Sequence, residues 1–333
     1  MKTRHSARAA GLLAALLVLG GLAMVSLAVG ARPIPLSTVA DVLLSPDASD
    51  ANYVVWSLRI PRTLTGVAVG AALGAAGALM QALTRNPLAD PGLLGVNAGA
   101  GAMVALAISV LGVTHPAGYV WFGFAGAALA GAALYLLANG SRGGASPVRI
   151  ALSGLAVSAA LTGLTQAMML INARTLDQMR FWTVGSLVKA QASTLNFVAP
   201  MLAGGVILGI LLARPLNALA LGDDTAASLG IRLGTTRLAG LAAITVLCGA
   251  ATATVGPLIF VGLAVPHMAR VIAGPDQRWM LPYCAVLAPI LLLVADVAGR
   301  LVAGDELDVG VVTALLGAPV FIALVRRERL VKA

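Results

Sequence analysis

Charged side chains are scarce in this chain: Asp, Glu, Lys and Arg make up 11% of its 333 residues. Soluble domains carry roughly 25%, so there is too little polar surface to cover a water-facing exterior. Metal-binding residues are just as thin. The three histidines (His5, His115 and His267) are scattered, and Cys248 and Cys284 lie in apolar stretches with no second Cys or His at metal-ligand spacing. Both cysteines read as small buried residues. There is no Walker A sequence for nucleotide and no His/Cys/Asp cluster, so no enzyme and no metal site emerge. What is abundant is hydrocarbon, with 59% of residues hydrophobic. The chain reads as an all-α polytopic membrane protein, a single transmembrane domain over 1–333.

A span needs about 20 apolar residues, since each rises roughly 1.5 Å through a core about 30 Å thick. Ten are expected: 9–30, 63–82, 95–111, 118–138, 148–171, 194–213, 237–254, 257–272, 281–300 and 311–325. Only Gly256 and Pro257 punctuate the seventh and eighth. The first follows Lys2, Arg4 and Arg8 and resembles a signal peptide, but its apolar run of about 22 residues exceeds the usual 7–15. It is read as a retained helix.

The net charge of +9 suggests nucleic acid in a soluble protein; in a membrane protein it is a topology signal. With ten spans and both termini cytoplasmic, 15 of the 22 Lys and Arg fall in or beside inner segments and 7 outside. That bias is the positive-inside pattern, and no nucleic-acid partner is expected.

Ionisable groups inside the spans are few. Asp296, in "LLLVADVAGR", is the clearest. An intramembrane carboxylate suggests an ion relay and a gradient-driven secondary transporter. Arg300 lies four residues on, and an i,i+4 pair is the plainer reading. Gly66, Gly70 and Gly74 put small residues on one face of span two, which suits tight helix packing and is compatible with a central, cavity-lining role. Gln81, Asn97, Thr162, Thr165 and Gln166 are candidate pore groups. Arg59, Arg62 and Arg300 run against the positive-inside trend. Such arginines either snorkel to lipid phosphate or form a docking site for an acidic partner.

Two irregular segments stand out. "TRNPLADPGLLGVNAGAG" (84–101) holds two prolines, four glycines, an Arg and an Asp, and a bilayer core tolerates such backbone only where protein or a cavity covers it. The loop 214–236 contains "LGDDTAASLG", in which Leu221, Gly222, Asp223, Asp224, Thr225, Ala226, Ser228, Leu229 and Gly230 read as a short helix between glycines. A helix of this kind, lying along the membrane, suits contact with a cytoplasmic partner.

Several stretches resemble one family. They are "LRIPRTLTGVAVGAALGAAGALMQALTRNPLADPGLLGVNAGAG" (58–101), "RFWTVGSL" (180–187), "ALALGDDTAASLGI" (218–231), "TATVGPLIFVGLAVPHMAR" (252–270), "DVAGR" (296–300) and "VVTALLGAPVFIALVRR" (311–327). In this order they are similar to the FecCD permeases of binding-protein-dependent ABC importers for iron-siderophores, haem and cobalamin. The resemblance implies a type II importer fold of about ten helices in the bacterial inner membrane. It also implies two permease subunits around one pathway, two ATPase subunits below and a periplasmic or lipoprotein binding protein above. Arg59, Arg62 and Arg300 match the family's docking arginines, and 218–231 its ATPase-coupling helices. Asn86, Pro87 and Leu88 fall in a loop that resembles an inner gate, with Gly66, Gly70 and Gly74 beside the pathway. A second gate falls near 139–144, around Ser141. Within the family, 79–100, "LAAITVLCGAATATVGP" (241–257) and "GAPVFIALVRR" (317–327) are most similar to the enterobactin type. That implies a catecholate ferric siderophore as cargo and a heterodimer with a second, related permease. No cofactor is expected on this chain, because ATP and Mg would sit on the ATPase and iron within the siderophore. A hydroxamate, haem or cobalamin cargo is the alternative within the family.

Overall fold

The computed structural model describes residues 2–113, 115–139, 147–188, 190–302 and 307–332, and among these there is no β-strand. In a membrane this is the expected solution, because a helix satisfies its own backbone N–H and C=O groups. The helices are α1 (Lys2–Ala28), α2 (Leu36–Leu44), α3 (Asp50–Tyr53), α4 (Ile60–Thr84), α5 (Val96–Leu111), α6 (Pro116–Asn139), α7 (Pro147–Ile171) and α8 (Ala173–Trp182). They continue with α9 (Ala192–Leu211), α10 (Ala213–Leu219), α11 (Asp223–Ser228), α12 (Leu233–Val255), α13 (Val261–Ala273), α14 (Gln277–Val302) and α15 (Val309–Lys332).

Seven helical stretches are long and apolar enough to cross a membrane, and three shorter apolar ones accompany them: Val96–Leu111, Val261–Ala273 and Val309–Pro319. Each expected span falls on one of these. Of the boundaries that differ from expectation, two shape the site. Helix runs unbroken from Asp50 to Thr84, through a π-helical turn at Val54–Arg59 just ahead of Pro61. Residues 257–260 are not helical, so the eighth span begins at Val261.

α4 is the central helix, most of it buried, and its main partner is α14. The contact is backbone on backbone. A Cβ added at Gly70 would come within 2.7 Å of Pro289 Cα, and one at Gly74 would overlap the Cys284 carbonyl. Small residues at this spacing allow the van der Waals contact that holds helices together in lipid. Gly66 meets Leu293 on the same helix. The three glycines therefore pack α4 against α14.

α1 lies on the outside of the bundle and is held at both ends. The Tyr283 hydroxyl donates to the Arg8 carbonyl at 2.7 Å, while Arg59 and Arg300 donate to carbonyls at its C-terminus. The bundle thus has an arginine end, near Ala28, Arg59 and Arg300, and a loop end, near Arg8, Arg85 and Asp223.

Candidate transport site

At the arginine end, Asp296 is fully buried between two arginines. Arg62 donates Nε and Nη2 to Asp296 Oδ1 at 3.1 and 2.8 Å, and Arg300 Nη2 is paired with Oδ2. Arg300 Nη1 also reaches the Ser26 and Val29 carbonyls, each at 2.9 Å. Arg59 Nη1 reaches the Leu27 and Ala28 carbonyls at 2.6 and 2.8 Å, and its Nη2 bonds to Arg32 O. The last carbonyls of a helix lack intrahelical partners and carry partial negative charge, so they suit guanidinium donors. Arg59, Arg62 and Arg300 are buried, with 6–8% of their surface exposed. Expected as docking groups at the outer face, they brace α1, α4 and α14, because Asp296 and the end of α1 offer acceptors inside. Asp296 forms the expected i,i+4 pair with Arg300, together with the unforeseen bond to Arg62.

The segment 85–95 re-enters the bundle. Arg85 ends α4 with φ +50, and the chain turns through a short 3₁₀ helix, Pro91–Leu94. Pro91 rests on Gly262 in the first turn of α13, where an added Cβ would lie 2.8 Å from Pro91 Cδ. Gly262 in turn touches Gly77 of α4, seven residues before Thr84 and hence about 10 Å along the axis. Gly95, with φ +82, backs onto Val157 of α7. This answers the question its composition raised: the irregular backbone is covered by α7 and α13, and it lines cavities.

Two cavities flank the segment along α7. One of 370 Å³ is lined by Asp90, Asn97, Ser158, Thr162, Trp182 and Ile259 among others. The other, of 350 Å³, lies toward the loop end against Asn86, Leu88, Val148 and Leu152, and Leu155 borders both. Asn86 Oδ1 accepts the Leu88 N–H at 2.9 Å, which stiffens the tip. Desolvation pushes the Asp90 carboxyl up to about 6, opposed by the bond it accepts from the Gly92 N–H. Ser158 Oγ and Trp182 Nε1 are buried at the larger cavity with no hydrogen-bond partner among the described residues. α7 is mostly exposed, and its exposed residues include Thr162 and Gln166. Gln81 donates to the Leu263 carbonyl and accepts from Arg270.

At the loop end, α11 follows Gly222 (φ +108) and precedes Gly230 (φ +80). Asp223 Oδ1 takes Arg85 Nη2 at 2.7 Å, and Oδ2 takes Arg237 Nη2 at 2.7 Å. Ala226 is buried, while Leu221, Asp224, Thr225, Ser228 and Leu229 are exposed. Asn217 of α10 bonds Asp276 at 2.6 Å and the Gln277 N–H at 2.8 Å, joining the loop to α14. The segment around Ser141, expected to hold a second gate, lies outside the described residues.

The model of the FecCD transport family matches residues 16–327. The chain belongs to the FecCD transport family. It is 49% identical over 306 residues, 91% of each chain, to the ferric enterobactin transport system permease protein FepD of Escherichia coli (strain K12). It is 40% identical to the Fe(3+)-citrate import system permease protein YfmD of Bacillus subtilis (strain 168), over 99% of this chain and 98% of that one. Among solved structures it resembles one described as an inward-facing conformation of a putative metal-chelate type ABC transporter, with TM-score 0.82 and 27% identity. That likeness covers 95% of this chain and 98% of the other. The fold is thus that of a type II ABC importer permease, in a multi-pass protein of the inner membrane.

In this FecCD permease, the residues that sequence reasoning missed are those whose partners are remote in the chain. Arg62 and Asp296 are 234 residues apart, and Arg85 and Asp223 are 138 apart. α8 was also unforeseen. Asn172 caps it by accepting the Thr175 N–H at 3.2 Å, and an Asn before a polar run was the available signal. It brings Met179 and Trp182 to the larger cavity.

Proposed function

We propose that this chain is the membrane permease of an ATP-driven importer whose cargo is a ferric siderophore of catecholate type, ferric enterobactin in the first instance. The observation that carries the cargo is the 49% identity to FepD over 91% of both chains, against 40% to the citrate permease. The arginine end faces outward and the loop end faces the cytoplasm, as the distribution of Lys and Arg favours. A binding protein docks at the arginine end, its acidic groups competing with Asp296 and the α1 carbonyls for Arg59, Arg62 and Arg300. Cargo descends along α7, whose exposed Thr162 and Gln166 face the pathway and a second, related permease subunit. The unpartnered Ser158 hydroxyl and Trp182 N–H suit a cargo rich in acceptor oxygens. The tip Asn86–Pro87–Leu88 closes the lower cavity. Two ATPase subunits bind below, each against an exposed helix such as α11, and hydrolyse the ATP.

The competing reading, a gradient-driven transporter coupled through Asp296, has little support, since both oxygens of that carboxylate are held by arginines. The test is uptake of ferric enterobactin by the complete complex in proteoliposomes. ATP-dependent uptake that needs the binding protein is expected. Uptake driven by a proton gradient without ATP overturns the importer reading, and ATP-driven uptake of ferric citrate in preference overturns the cargo.

A further inference from the structure

We propose that Asp223 is the positioning residue that transmits movement of α11 to the re-entrant segment 85–95, with Arg85 as its lever. This rests on the reading above that α11 meets an ATPase. The geometry carries the rest. One carboxylate joins three elements: the end of α4 through Arg85, α11 itself, and the first turn of α12 through Arg237. Arg237 is the fixed side of this joint, its side chain only 15% exposed against 35% for Arg85. α11 has a single buried residue, Ala226, and glycines at positive φ before and after it. A short element between two such glycines can rock as a unit, because the hinges absorb the backbone change.

Arg85 is one of two non-glycine residues at positive φ among the described residues. A strained residue of this kind persists only where its surroundings hold it, and here its side chain is held by Asp223. Its displacement is not absorbed next door. The Asn86 N–H is tied to the Gln81 carbonyl at 3.2 Å, and Asn86 Oδ1 holds the Leu88 N–H. A shift of Arg85 is therefore carried to Pro87 and Leu88, and Leu88 lines the lower cavity. The bond is also suited to being remade, since a half-exposed ion pair is weak and exchanges readily with water.

The experiment uses the complete complex in proteoliposomes and reads cargo imported per ATP hydrolysed. Arg85→Gln and Asp223→Asn should each lower that ratio at least about fivefold, the lower end of ordinary coupling between sites, and Arg85→Gln should do so with ATP hydrolysis and assembly unchanged. The double variant should be no worse than Asp223→Asn alone, because Asp223→Asn already breaks the bond that Arg85→Gln removes. Arg85→Lys should retain most of the ratio. An unchanged ratio in Arg85→Gln, or losses that multiply in the double variant, overturns the proposal. Wild-type complex that hydrolyses ATP without importing cargo overturns the importer reading, and with it this one.

Discussion

Two clusters of the same composition, Arg–Asp–Arg, sit at opposite ends of this bundle and behave as different materials. Arg62–Asp296–Arg300 is sealed, with the carboxylate side chain 1% exposed. Arg85–Asp223–Arg237 is half open, with its carboxylate 37% exposed. The sealed cluster is shielded from bulk solvent, so removing one member leaves an uncompensated buried charge. In the open cluster water replaces a lost partner, so the same removal costs little. The first is a brace across α1, α4 and α14. The second is a joint, stable enough to transmit and weak enough to rearrange. Charge pattern alone does not distinguish them; burial does.

The comparison breaks first at Asp296. Asp296→Asn should destabilise the purified protein by about 3–5 kcal/mol, read as a lower melting temperature in detergent; a loss no larger than that of Asp223→Asn would erase the distinction. Next is the backbone contact that seals the same region. Gly70→Leu drives a side chain into Pro289 and should cost about 1–3 kcal/mol or prevent assembly, with the yield of folded protein as the measure.

Asp90 lies between the two ends and tests the cavity. Its carboxyl is raised from 3.8 to about 6, so the folded state favours the protonated form. Stability relative to Asp90→Asn should therefore fall as pH rises through that window and level off above it; melting curves of the two proteins from pH 4 to 7 check the sign. The smallest effect belongs to the joint. Asp223→Asn should change stability by about 1 kcal/mol or less, and that difference should shrink at about 0.5 M salt, where exposed charges are screened. The gap between wild type and Asp296→Asn should not respond to salt.

Much was legible because membranes constrain sequence so strongly. Scarce charge and long apolar runs marked the helical spans, since a bilayer admits few other solutions for a single chain. The i,i+4 pair of Asp296 and Arg300 was legible because helical spacing is local. The glycines of span two declared a close contact but not its partner. Whether Gly70 met a pathway or a helix depended on α14, more than two hundred residues later in the chain. Arg59 and Arg300 were legible as cations at a membrane face, while their inward bonds to carbonyls at the end of α1 were not. No local pattern states that a helix C-terminus will arrive beside them.

The segment 84–101 divides the two kinds of knowledge most clearly. From the sequence alone, regular helix has to end before the segment's prolines: Pro87 and Pro91 lack an N–H, and Gly92 and Gly95 relax the backbone. It also determined that such a segment needs cover from lipid. That the cover is α7 and α13, that the segment folds inward, and that Arg85 at its root is tied to Asp223 across 138 residues all come from packing. The reason is physical. Dihedral preference and hydrophobicity are properties of neighbouring residues, whereas burial of a charge and the partner that neutralises it are properties of packing.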